Sequence, residues 1–468
     1  MAPPPRTPLV VPTDTDATAA TAAKAKAKAA PSVDGIAETG VATNLDGDMW
    51  ESVRASVVKV YVSNKPWSQR QPWQRLAAIS GTGSAFVVAG RRLLTNAHVV
   101  DDEVAIFVRR RDSDVQHPAK VLDVSAEADL ALLAVDGDAF WSGLTPTTPG
   151  PLPALQDRVI AMGYPTGGDS MSITSGVVSR VEMTRSVFSG IALLGLQVDA
   201  AINSGNSGGP AFNAAAEVVG VAHQTRSDAQ NIGYIIPWGV IEHFLADVAD
   251  GPSTGICGAG FTVQPLDNPH LRAYKRLPSP SAAASAATTA ASAAAAAAAA
   301  ADGGDVGVLI RSVPPVSPAA DVVRPGDVLT ALDGVPVTSA ATVAFPGRGS
   351  ARIGFNYLVS RKQVGDPLRV SLLRDGVPVE VTYPLPSVRR TPMVPATGNR
   401  TRPEYLIVGG FVFLPLTAAY LRARYGHRWH SAAPSSLVGL AHSAEKAAAD
   451  DQIVILSHVL AAPINRGR

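Results

Sequence analysis

Three short stretches carry side chains able to act together on a carbonyl. The first, AINSGNSGGPAFN at residues 201–213, crowds Ser204, Gly205, Asn206, Ser207, Gly208, Gly209 and Pro210 between apolar runs. Such a turn can cradle a phosphate, seat a nucleophile or serve only as a loop. A phosphate loop needs a lysine followed by serine or threonine after its last glycine, at the opening of a helix. Pro210 and Ala211 stand there instead. A dinucleotide fingerprint needs strand, turn and helix, whereas the following EVVGVAHQ reads as strand. A nucleophile remains, and a serine hydroxyl is a weak one unless a base takes its proton. LLTNAHVV sets His98 after the small Ala97 at a strand end, where an imidazole can face a cleft. AEADLALL sets Asp129 at the mouth of an apolar strand, where its carboxylate can be buried against that imidazole.

Taken singly, a histidine at a strand end or an aspartate before a strand is ordinary turn chemistry. The three together, in the order His, Asp, Ser, follow the chain order of chymotrypsin-type proteases and differ from the nucleophile-elbow and subtilisin orders. Ser207 would attack a carbonyl, His98 would carry the proton to the leaving amine, and Asp129 would hold the imidazole tautomer. Gly205 and Ser207 can aim backbone N–H groups at one point, and Gly208 and Gly209 permit close approach. Ser204 competes as nucleophile, but the Gly208–Gly209 doublet follows Ser207.

Composition bounds the setting. A chain of 468 residues exceeds one ordinary core and points to two to four domains. Forty Lys plus Arg against 39 Asp plus Glu leave a formal charge of +1, so no overall field draws the protein to nucleic acid. The single cysteine, Cys257, excludes an intrachain disulfide framework and a multi-cysteine zinc site. No metal or cofactor is expected. The longest apolar run, LIVGGFVFLPLTAAYL at 406–421, is interrupted by Gly409, Gly410 and Pro415 and too short for a transmembrane helix. It reads as buried strand followed by loop.

Residues 1–45 are an Ala-, Pro- and Thr-rich leader without a secretory apolar core, compatible with a transit segment. Residues 46–252 carry many short β-rich runs with regular turns, the pattern of a barrel or sandwich, closed by a helix starting near Pro237. Residues 255–388 form a second, mostly β unit with PGD and DG turns, interrupted by the Ala-rich segment 281–301. That segment presents no docking face and is expected as a solvent-exposed insertion. Residues 389–468 form a third region.

With these residues in view, GTGSAF, LLTNAHVV, DLALL, GYPTGGDSMSITSGVVSR, LQVDAAINSGNSGGPAFN and NIGYIIP resemble the Deg/HtrA serine proteases. PWQ at 72–74, IGFNYLVS, IVGGFVF and QIVILSHVLA resemble its plant and algal branch, which has chloroplast and nuclear members. The resemblance implies a mainly β fold: a trypsin-like double β-barrel followed by PDZ-like α/β modules, the last incomplete at 389–468. It implies His98, Asp129 and Ser207 as catalytic residues and the N–H groups of Gly205, Asn206 and Ser207 as an oxyanion hole. Substrate would lie by β-augmentation along Ile232, Gly233, Tyr234, Ile235 and Ile236, with Ile202 and Ile235 favouring a small-to-medium apolar residue before the cut. Gly260 and Phe261 fall at the carboxylate-binding loop of a PDZ groove. The implied activity is ATP-independent cleavage of unfolded or damaged proteins by trimer-based assemblies. The alternative is a peptide-binding chaperone with a resting site. The chloroplast is the expected compartment, with nucleus and mitochondrion as alternatives. No transmembrane segment is expected, and peripheral membrane association stays open.

Overall fold

The computed structural model describes residues 47–186, 188–203, 205–225, 232–277, 306–389, 392–395, 402–426, 428–461 and 463–465. The leader 1–45, the Ala-rich segment 281–301 and Ser204 lie outside the described residues.

Twelve strands close into two six-stranded barrels. The first holds β1 (Val57–Asn64), β2 (Ile79–Val88), β3 (Arg92–Thr95), β4 (Glu103–Arg109), β5 (Gln116–Ser125) and β6 (Leu130–Val135), in the order β1-β2-β3-β6-β5-β4. The second holds β7 (Arg158–Gly163), β8 (Ser172–Arg185), β9 (Ala192–Val198), β10 (Pro210–Phe212), β11 (Val218–Thr225) and β12 (Gly233–Pro237), in the order β10-β11-β12-β9-β8-β7. Successive side chains on a strand face opposite sides, so near-continuous apolar runs serve two cores. Val58, Val60, Ala85, Val87, Ala131 and Leu133 fill the first barrel. Their neighbours Val57, Phe86, Val88, Leu130 and Leu132 turn outward onto Ile160, Met162 and Phe212 of the second. The packed seam between the barrels therefore comes from the same strands that close the first one. The helix Trp238–Asp247 follows β12, with Pro237 as its N-cap, and buries Val240, Ile241 and Phe244.

The next unit is a sheet in the order β13 (Thr262–Gln264), β14 (Val308–Ser312), β15 (Val328–Leu332), β19 (Pro367–Arg374), β20 (Val377–Pro384). β16 (Val335–Pro336) pairs with β15, and β17 (Thr342–Ala344) pairs with β18 (Arg352–Gly354). It leans on the second barrel: the Lys362 carbonyl meets His243 Nε2 at 2.9 Å, and Arg348 donates to the carbonyls of Leu152 and Pro153 at 2.9 and 2.6 Å.

A last unit carries β21 (Leu406–Val408), β22 (Phe411–Pro415) and β23 (Val454–Val459) with short helices between the last two. Here the expectation of one buried strand and a loop over 406–421 is corrected. Gly409 and Gly410, both at positive φ, turn the chain into a hairpin, and residues 418–425 are helical. Leu406, Ile407 and Val408 are exposed on the outer strand of this sheet, where among the described residues only β22 pairs with them. The PWQ segment, between β1 and β2, meets this unit: Trp73 contacts Tyr405 and His458 at ring separations of 5.8 and 5.7 Å. Among the described residues no helix is long and apolar enough to cross a membrane.

Candidate active site

His98 sits on a three-residue 3-10 turn, Ala97–Val99, just beyond β3 rather than on the strand itself. The turn is pinned by Asn96, whose side-chain amide donates to the Asp129 carbonyl at 2.8 Å. Asp129 takes φ +53, a left-handed conformation that aspartate tolerates better than most residues, and β6 starts at the next position. Its carboxylate is 2% exposed and accepts from the His98 backbone N–H at 2.8 Å through Oδ1. Oδ2 lies 2.6 Å from His98 Nδ1.

Burial alone would raise this carboxyl's pKa. The His98 charge and hydrogen bonds from His223 and His98 outweigh burial and hold the pKa at about 2. A depressed folded-state pKa contributes stability above the unfolded value, which is lost as pH falls through the folded one. Asp129 should therefore contribute about 2 kcal/mol that is complete above about pH 4 and fades toward pH 2. Urea unfolding across that interval checks it: the wild-type midpoint should fall more steeply than that of Asp129→Asn.

The Ser207 loop joins β9 to β10 and is braced by the first barrel. Ser84 of β2 donates to the Gly205 carbonyl at 2.7 Å and accepts from the Tyr164 N–H at 2.8 Å. Its own N–H donates to the Ser207 carbonyl at 3.0 Å. Gly208 takes φ +84, and a Cβ there would sit 2.2 Å from both the Ser84 carbonyl and Thr95 Oγ1. A side chain at 208 would push Ser207 away from the seam that carries His98. The Asn206 N–H donates to the Asn203 carbonyl at 3.0 Å, which corrects its expected place in an oxyanion hole: the turn itself consumes that donor. No described residue accepts from the N–H of Gly205 or Ser207.

Two further side chains enter the site. His223, 7% exposed on β11, sets its Nδ1 2.7 Å from Asp129 Oδ2, so two imidazoles share one carboxylate oxygen. The His223 carbonyl accepts Ser207 Oγ–H at 3.3 Å. Phe188, from the β8–β9 connection, stacks on the His98 ring at 4.3 Å with planes 2° apart and meets the His223 ring edge-on at 5.5 Å. Among the described residues no hydrogen bond joins Ser207 Oγ to His98. The sequence analysis missed His223, Phe188 and Ser84. Ser84 lay within the GTGSAF motif, but nothing local marks either of the others.

The expected substrate strand needs correction. Gly233, Tyr234 and Ile235 pair with β11 on one edge and β9 on the other, so they offer no free edge for augmentation. Ile202 and Ile235, 3% and 1% exposed, belong to the core of the second barrel, and Ile235 also borders a small cavity with His223, Tyr234 and Ile236. Ile232 lies before β12 and Ile236 pairs with Val221. β11 is different: Ala222 still bonds Gly208 and Gly209 at 2.9 and 2.8 Å, whereas among the described residues Gln224 and Thr225 pair only with β12. Gly260 takes φ +78 and leads through Phe261 into β13, the outer strand of its sheet. Phe261, however, is 9% exposed and packs against Phe355 at 6.4 Å, inside the core.

The trypsin-like peptidase domain family matches residues 83–221, and the PDZ domain family matches residues 394–468. "Protease Do-like 2, chloroplastic" of Arabidopsis thaliana is 39% identical over 415 residues, 88% of this chain and 63% of its own. "Putative protease Do-like 3, mitochondrial" of the same plant is 37% identical over 414 residues, 88% of this chain and 67% of its own. The chain thus spans about two thirds of the length of these relatives. The solved "HtrA-type protease AlgW with decapeptide" shares the fold at TM-score 0.51 and 24% identity, over 72% of this chain and 97% of that one. Two barrels facing across a histidine, a buried aspartate and a glycine-framed serine are thus found in a chain with Do-like relatives at this identity, and the chain belongs to the Deg/HtrA family of serine proteases, beside its plant Do-like members.

Proposed function

We propose that this protein is a serine endopeptidase that hydrolyses unfolded or damaged proteins without ATP, through His98, Asp129 and Ser207. The observation that carries this reading is the buried Asp129 carboxylate gripping His98 Nδ1 at 2.6 Å, across the seam from the Ser207 loop. Ser207 Oγ attacks the scissile carbonyl as His98 takes its proton, and His98 returns that proton to the leaving amine. Asp129 fixes the tautomer and stabilises the imidazolium. Water then repeats the sequence on the acyl-enzyme. The N–H groups of Gly205 and Ser207 are the hole donors, and substrate aligns on the end of β11 beyond Ala222, whose own backbone groups are bonded to Gly208 and Gly209.

The site is at rest. Ser207 Oγ–H donates to the His223 carbonyl, so a turn about its side-chain bond must precede attack. Phe188 covers His98, and aromatic stacking of this kind contributes about 0.5–1.5 kcal/mol. Phe188→Ala should raise kcat/KM on casein roughly two- to tenfold, measured by initial rates; an unchanged or lower rate would remove Phe188 as a cover.

The same Ser207 bond favours a second reading, a peptide-binding chaperone that seldom cleaves. Casein hydrolysis and suppression of aggregation, each assayed with and without ATP, separate the two. ATP-independent cleavage supports the protease; suppression without cleavage supports the chaperone. β13 and the loop from Gly260 to Phe261 would guide substrate termini or assembly, and the working form would be trimer-based. A chloroplast location is favoured, with mitochondrion or nucleus as alternatives: Do-like 2 is named chloroplastic and Do-like 3 mitochondrial. Peripheral contact with a membrane is compatible with this reading.

A further inference from the structure

His223 is not needed for the relay, yet its imidazole is 7% exposed and aimed at the relay's carboxylate. With His98 and Asp129 it forms a set of two imidazoles and one carboxylate whose donor atoms lie within 4.8 Å of one another. That donor set is the one by which zinc is held with one position left open. We infer that His98, Asp129 and His223 form an inhibitory site for a zinc-class divalent cation, bound through the two Nδ1 atoms and Asp129 Oδ2.

The geometry fits with a small adjustment. Each Nδ1 lies 2.6 or 2.7 Å from Oδ2, whereas ligands of a tetrahedral zinc at about 2.0–2.1 Å stand about 3.3 Å apart. Each Nδ1–Oδ2 separation must open by roughly 0.6 Å, and the two Nδ1 atoms, within 4.8 Å of one another, must come to that same spacing. His98, on its short turn and 23% exposed, can yield, while Asp129 and His223 are 2% and 8% exposed at their side chains. Asp129 Oδ1 remains with the His98 N–H, a bond of 2.8 Å that orients the carboxylate as outer contacts orient metal ligands elsewhere. Imidazole nitrogen selects zinc, copper, nickel or cobalt over magnesium and calcium, which prefer oxygen.

Inhibition follows from proton placement. A metal at Nδ1 requires that nitrogen to be unprotonated, so each neutral imidazole loses its Nδ1 proton to water and gains one at Nε2, with no net release. His98 Nε2 then carries a hydrogen and cannot accept the proton of Ser207. Oδ2 is also engaged by the metal and no longer supports an imidazolium. This consequence rests on the protease reading. Binding itself does not.

The test uses the full chain, stripped with a chelator and titrated with Co2+ while its visible spectrum and casein hydrolysis are followed. The expected result is one tetrahedral-type cobalt spectrum per chain, displaced by Zn2+, with hydrolysis lost on metal addition and restored by EDTA. In His223→Asn, whose amide can still donate to Asp129, the spectrum should vanish. The Zn2+ concentration for half-inhibition should rise at least about tenfold, whatever basal rate the variant keeps. Asp129→Asn supplies a second route to loss of the spectrum if His223→Asn does not fold. The other imidazole pair, His430 Nδ1 and His442 Nε2 at 3.1 Å, is an exposed competitor. Loss of the spectrum in His430→Ala, its persistence in His223→Asn, or the absence of one-to-one binding in the parent chain would each overturn the site. A chain that binds cobalt in this way but never cleaves casein would overturn the protease reading alone.

Discussion

Ser207→Ala is expected to lower kcat on casein by about a millionfold, the scale seen when a triad nucleophile is removed. The size of the effect comes from how the parts depend on one another. Without the hydroxyl, His98 has no proton to take and Asp129 has no imidazolium to stabilise, so the whole relay falls silent together. What remains is binding plus the N–H donors of Gly205 and Ser207, which the alanine backbone retains, and these alone are worth about a thousandfold to ten thousandfold over water. KM should change little, because the contacts that align substrate in this account come from backbone groups of β11 and the Ser207 loop, which the alanine keeps. Initial-rate measurements at saturating and limiting casein separate the two constants. A large rise in KM with an unchanged kcat would assign Ser207 to binding.

Arg389→Ala should destabilise the fold by about 1–3 kcal/mol, less than for a fully buried pair because the Arg389 side chain is 35% exposed, and lower Tm by roughly 5 °C. Glu127 is 1% exposed and stands two residues before Asp129. Its carboxylate is gripped at both oxygens by the Arg389 guanidinium, through Nε and, at 2.7 Å, through Nη2. Arg389 comes from the segment that follows β20, so this pair ties the sheet unit to the loop that carries Asp129. Truncating the arginine leaves a buried carboxylate with little compensation, which is far worse than never having had the pair. The double replacement Glu127→Leu with Arg389→Met should accordingly recover most of the loss, and a thermal double-mutant cycle measures the coupling. The Glu127 carbonyl also accepts from Ser189 Oγ at 2.9 Å, beside Phe188. Arg389→Ala should therefore disturb the cover over His98 as well as the stability.

The division between what the sequence disclosed and what it concealed follows a physical line. Short β-rich runs and the turns between them announced the β architecture, because strand length and turn chemistry are local properties of the chain. His98, Asp129 and Ser207 were legible for a related reason: each stands beside small residues at a strand end, in a chain order that one chemistry shares. His223 was not legible, since it sits in VVGVAHQ like any strand residue and meets Asp129 only once β11 is placed against the other barrel. Within the residues 232–236 chosen for substrate, barrel closure gives Gly233, Tyr234 and Ile235 partners on both edges, a fact no local window contains. Ile202 and Ile235 show the same limit: apolar character marks core and pocket alike, and packing buries both, Ile235 beside a small cavity that His223 also lines. Over 406–421, Gly409 and Gly410 were seen as interruptions of one segment, whereas their positive φ values make a hairpin of it.

The central claim is that Ser207 is an activated nucleophile, and covalent labelling tests it most directly. The purified chain would be treated with a fluorophosphonate during casein turnover, digested, and mapped by mass spectrometry. The account predicts a single phosphonyl adduct on Ser207, loss of casein hydrolysis in step with labelling, and no adduct in His98→Ala. Casein hydrolysis that continues with Ser207 unmodified, or an adduct on Ser204 that tracks the loss of activity, would contradict it.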